Sequence, residues 1–115
     1  MEKTIREIIR DYQNEMLNND LLPQRAVEIL NSVSALYGNI LDQIKDTEIV
    51  YNKILLKNYE TEKTANRAKI KSEISPEYQN YREAINTEKL LKKMISSLNR
   101  CIDLKKEEMR NLRYQ

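Results

Sequence analysis

In 115 residues the chain carries one glycine, Gly38, and two prolines, Pro23 and Pro76. Tight turns depend on these residue types, for left-handed backbone or for a preset φ. A chain so poor in them cannot make the many reversals of a sandwich, barrel or hairpin-rich sheet. Long helices broken at few points are what remains. Charged residues make 33% and apolar ones 40%, a balance that suits a folded helical chain rather than a disordered one. At this length a single domain over residues 1–115 is expected.

Apolar spacing predicts three helices. Ile5, Ile8, Ile9, Tyr12 and Met16 recur at helical steps, so a short amphipathic helix is expected over 1–20, with Asn18-Asn19-Asp20 as its stop. Pro23 suits the first turn of a second helix, where its missing N–H is no loss. From there Val27, Leu30, Val33, Tyr37, Ile40, Leu41, Ile44, Tyr51, Ile54 and Leu55 form a stripe unbroken by proline, and the helix is expected over 23–72. Gly38 either lies within it, at a cost of about 1 kcal/mol, or marks a bend. Ser75-Pro76-Glu77 then reads as N-cap, first position and an acid facing the helix dipole. The last helix is expected over 76–113. Its positions Glu88, Leu91, Ile95, Leu98, Ile102, Lys105, Met109 and Leu112 alternate by three and four, as in a coiled coil. The expected fold is all-α: a short helix, a long one, and a C-terminal helix returning antiparallel as a coiled-coil-like hairpin.

A helix over 23–72 would be about 75 Å long, and the returning one about 57 Å. The uncovered part of the stripe therefore predicts a homo-oligomer, with Tyr37, Ile40, Leu41 and Ile44 as inter-chain contacts. No apolar run exceeds three residues, far short of the roughly 20 that span a bilayer, so no membrane segment is expected. No charged-then-apolar leader follows Met1, and the single Cys101 makes no internal disulfide. Both predict a cytoplasmic protein.

Composition also removes most catalysis. Without histidine there is no imidazole base, no Ser-His or Cys-His pair and no histidine metal site. One glycine builds no phosphate-cradling loop. Cys101, beside Ile102, reads as a small buried hydrophobe. No enzyme activity, cofactor or metal is expected.

Charge is divided unevenly. Residues 1–52 carry net −4 and residues 53–115 net +6. Lys57, Lys63, Arg67, Lys69 and Lys71 cluster near the middle, and the four-residue steps from Lys63 through Arg67 to Lys71 would align them on one helix face. Such a face is either a solvated surface or a phosphate-contacting one, where cations in register displace counterions. Tyr59, set among these bases, is a candidate stacking platform for a single-stranded base. Tyr37, Tyr51, Tyr78 and Tyr81 read instead as core-edge rings.

The layout of Leu22-Pro23-Gln24-Arg25-Ala26-Val27-Glu28-Ile29-Leu30, Ser34-Ala35-Leu36-Tyr37-Gly38-Asn39, Asn66-Arg67-Ala68-Lys69-Ile70 and Ser75-Pro76-Glu77-Tyr78, leading into Arg82-Glu83-Ala84, resembles small helical proteins of tailed phages. More distantly, the basic long helix, the break, and a last helix bearing Leu98, Cys101, Asp103 and Lys105 resemble phage recombination mediators of the UvsY type over about residues 45–113. The first 44 residues depart from that layout. The resemblance implies single-stranded DNA binding, ring assembly, and loading of a recombinase onto strands coated by single-strand-binding protein in a host cytoplasm. The other class open to this sequence is a non-enzymatic helical adaptor, an assembly chaperone or an inhibitor of a host protein.

Overall fold

The computed structural model describes residues 3–18 and 21–113 and contains four helices: α1 (Ile5–Asn18), α2 (Pro23–Thr61), α3 (Ala65–Glu73) and α4 (Pro76–Arg113). Helix accounts for 92% of it, and α2 and α4 pack against each other as an all-α hairpin. Among the described residues no helix is long and apolar enough to cross a membrane.

Three helices begin on a hydroxyl. Thr4 Oγ1 accepts the Glu7 N–H at 3.2 Å, Thr64 Oγ1 the Arg67 N–H at 3.1 Å, and Ser75 Oγ the Tyr78 N–H at 3.2 Å. Each satisfies an N–H that has no acceptor within its helix. The start at Ser75-Pro76 is where the sequence places it. Pro23 opens α2, and the Ala26 N–H donates to the Leu22 carbonyl at 2.9 Å.

Contacts cluster into two compact units, and both long helices run through the division. The physical reason is length. Helices of 39 and 38 residues extend about 57 Å each, beyond the reach of one small core.

One unit holds α1, α2 up to Tyr37, and α4 from Leu90 onward. Ile9, Ala26, Ile29, Val33, Leu91 and Leu98 are completely buried in the fold, with Met94 and Ile102 close to it. Ile5, Ile8, Tyr12 and Met16 flank Ile9 half-buried, as their spacing predicts. Residues 1, 2, 19 and 20 of the expected first helix, including part of its stop signal, lie outside the described residues. Arg25 ties α1 to α2: its Nε and Nη2 donate to the two carboxylate oxygens of Glu15 at 2.6 and 2.9 Å, and Nη1 to Glu28 at 3.0 Å. Val27, counted in the stripe by its spacing, faces solvent, while Ala26 and Ile29 take the core positions.

The other unit is Gly38–Lys89: the rest of α2, α3, and the start of α4. Here the expected helix over 23–72 is corrected. It ends at Thr61, residues 62–64 bend, and α3 folds back beside the last turns of α2. In one continuous helix Asn58 and Ser72 would lie about 21 Å apart. Instead Asn58 Nδ2 donates to Ser72 Oγ at 2.8 Å in the interior, and Ser72 Oγ donates onward to the Ala68 carbonyl at 2.7 Å. Ala68 and Ser72 are fully buried. Two small residues one turn apart let the backbones approach closely, and neither leaves a mark in hydropathy.

The shorter α2 also removes the reason for the expected oligomer contacts, because α4 now matches it in length. Ile40 is 2% exposed and belongs to its own chain's core, so it is no inter-chain contact. Tyr37 and Ile44 are half-buried, and Leu41 alone of the four is exposed.

Gly38 sits inside α2 with helical φ, and a Cβ built there meets nothing within 4 Å. Gly38→Ala should therefore stabilise the fold by about 1 kcal/mol, read as a higher thermal midpoint. Pairing with Arg25 holds the Glu15 carboxyl below its ordinary value of 4.5. That contribution is present above the ordinary carboxylate range and is lost as pH falls through the lowered value. Acid melts of Glu15→Gln should lack this loss.

Candidate nucleic-acid interface

The six residues singled out by sequence all lie on the second unit and all are exposed. They are not on one helix. Lys57 and Tyr59 occupy the end of α2, Lys63 lies in the bend, and Arg67, Lys69 and Lys71 lie on α3. The predicted single face Lys63–Arg67–Lys71 is thus corrected. Lys63 precedes the Thr64 cap and shares no helical register with the other two. Arg67 and Lys71, one turn apart, do share a face, while Lys69 points to the opposite flank, about 200° from each.

Lys71 Nζ is paired with Glu62 at 3.1 Å, and this bridge closes the bend. Half-exposed, it adds at most about 1 kcal/mol. Among the described residues Lys57, Lys63, Arg67 and Lys69 take part in no ion pair. The corner therefore presents four unneutralised cations and one shared one.

The corner also carries apolar surface. Ile70 is 55% and Ile74 76% exposed. Ala68 and Ser72 claim the packed side of α3, so isoleucines two residues beyond them must face outward. The signal was available in the four-residue step between the two small residues.

Behind the corner lies an aromatic cluster. Tyr51 is 5.1 Å from Tyr78 between ring centroids, tilted by 49°, and 5.8 Å from Tyr81 in a stacked arrangement. These half-buried rings occupy the core edge that the sequence assigned them. Burial above all raises the Tyr51 phenol from its ordinary 10.0, assisted by Glu73 and the neighbouring Tyr78, Tyr59 and Tyr81. Tyr59 itself is 46% exposed, leaving much of its surface open to solvent.

Cys101 is half-buried and its thiol is free. No group of three potential metal ligands occurs among the described residues. What the corner offers chemically is charge, one exposed ring and two exposed isoleucines. Comparison with protein-family models, curated proteins and solved structures finds no match to this chain.

Tyr51 gives the unit a pH dependence. A raised phenol keeps the neutral form favoured in the folded state, so its contribution is whole below about pH 10. It is lost as pH rises from there through the folded value. Urea midpoints compared at about pH 9 and about pH 11 should fall less for Tyr51→Phe than for the parent.

Proposed function

We propose that this chain is a non-catalytic accessory protein that binds single-stranded nucleic acid at the α2–α3 corner. The observation that carries the reading is the cluster of exposed, unpaired cations there, with Tyr59 beside them. Cations not already neutralised by neighbouring carboxylates are the ones that release counterions when phosphates bind. Nothing in the corner offers a helix for reading base edges, so binding depends little on sequence. The resemblance to phage recombination mediators adds a context: a cytoplasmic factor that helps a recombinase replace single-strand-binding protein on DNA.

A second reading, the helical adaptor, chaperone or inhibitor of a host protein, is favoured by Ile70 and Ile74. Exposed isoleucines beside cations suit a protein partner with an acidic, apolar surface.

Binding of short oligonucleotides across a salt series separates the two. Three phosphate contacts per chain give a log–log slope near −2, since each contributes about −0.7 on single strands. Arg67→Ala should flatten that slope by about 0.7. Glu62→Gln, which releases Lys71, should raise affinity. Loss of Tyr59 should weaken binding at unchanged slope, because stacking releases no counterions. If the Lys63→Glu, Arg67→Glu, Lys71→Glu triple variant binds as well as the parent, the nucleic-acid reading fails and the adaptor reading replaces it.

A further inference from the structure

The core-facing side of α2 within Gly38–Lys89 carries Ile40, Ile44, Tyr51, Ile54, Leu55 and Asn58. A second apolar set lies elsewhere on the helix. Leu41 is 47%, Ile49 45% and Leu56 62% exposed. Steps of eight and seven residues at 100° per residue keep these three within an arc of about 80°, along about 22 Å of helix. Lys45 and Asn52 fall within the same arc, and all five side chains are exposed.

Charge along the same stretch identifies the occupant. Residues 41–49 carry Asp42, Lys45, Asp46 and Glu48, net −2, while residues 50–58 carry Lys53 and Lys57, net +2. All six side chains are exposed, and none is in an ion pair among the described residues. The segment is thus antisymmetric in charge about the Ile49–Val50 bond. A parallel copy would set like charge on like. An antiparallel copy lays each acidic half on a basic half.

We propose that this face of α2 pairs antiparallel with the same face of a second copy of this chain, about a two-fold axis at the Ile49–Val50 bond. Ile49 then meets Ile49 of the second copy, and Leu41 approaches its Leu56. On the rim, Lys53 lies opposite Asp46 of the second copy and Lys57 opposite Asp42, each pair occurring twice by symmetry. The aliphatic residues supply the contact, and the rim charges set its direction and register. This replaces the inter-chain face expected from sequence: Leu41 is retained, and the buried Ile40 is not. The pairing does not rest on the nucleic-acid reading, whose decisive variants at Lys63, Arg67 and Lys71 lie outside this face.

Sedimentation equilibrium of the full chain, from micromolar to near-millimolar concentration, tests it. A reversible monomer–dimer equilibrium is expected. Ile49→Asp should abolish the dimer while leaving helix content unchanged, since the site is exposed. Lys53→Asp and Asp46→Lys should each weaken it about tenfold or more, by placing like charges opposite each other twice. The double variant Asp46→Lys, Lys53→Asp exchanges the partners and should recover most of the lost affinity. A monomer at all concentrations overturns the proposal and leaves the face to a different partner. A dimer indifferent to Ile49→Asp, or a double variant weaker than both single ones, overturns it as well.

Discussion

The second unit depends on one buried polar contact. Asn58 donates to Ser72, and Ser72 in turn donates to the Ala68 carbonyl, so the two interior side chains satisfy each other. A buried amide without a partner costs about 1–3 kcal/mol, so Asn58 on the packed side of α2 requires an acceptor. Only a chain that doubles back can bring Ser72 to it. The bend at 62–64, the docking of α3, and the place where α4 begins follow from that requirement. The Thr64 and Ser75 hydroxyls then close the open helix starts on either side of α3.

The parts of this fold written in hydropathy and in proline were legible. Pro23 and Ser75-Pro76 mark helix starts that the structure keeps, and the apolar steps of α1, and of α4 as far as Ile102, are buried or half-buried, whereas Met109 and Leu112 at the same spacing are exposed. The parts written in small or polar residues were not. Ala68 and Ser72 bury completely yet contribute almost nothing to an apolar stripe, so residues 62–72 read as part of α2. Ala26 was likewise passed over beside the larger Val27, although it is the smaller side chain that fits the tight side. Periodicity reports where large apolar groups recur. Close approach depends on where they are missing.

The same misreading altered the candidate site. A continuous helix would have lined Lys63, Arg67 and Lys71 along one edge. The bend instead gathers cations from three segments around a corner, and uses Glu62 to engage Lys71. The identity of the basic residues could be read from charge alone, but their arrangement depended on Asn58, whose role is visible only when its partner is known. The corner also places Ile70 and Ile74 beside the cations, so its surface combines two kinds of contact.

The tyrosine cluster has a spectroscopic consequence. The chain has no tryptophan, so its ultraviolet emission and near-ultraviolet circular dichroism come chiefly from seven tyrosines. Tyr78 and Tyr81 each hold their ring within 6 Å of that of Tyr51 inside a single unit. Fixed, closely spaced rings give a strong near-ultraviolet signal, so that band reports chiefly on the unit containing α3. The far-ultraviolet band sums all four helices. Following both through one denaturation distinguishes concerted melting of the two units from stepwise melting, with no label added.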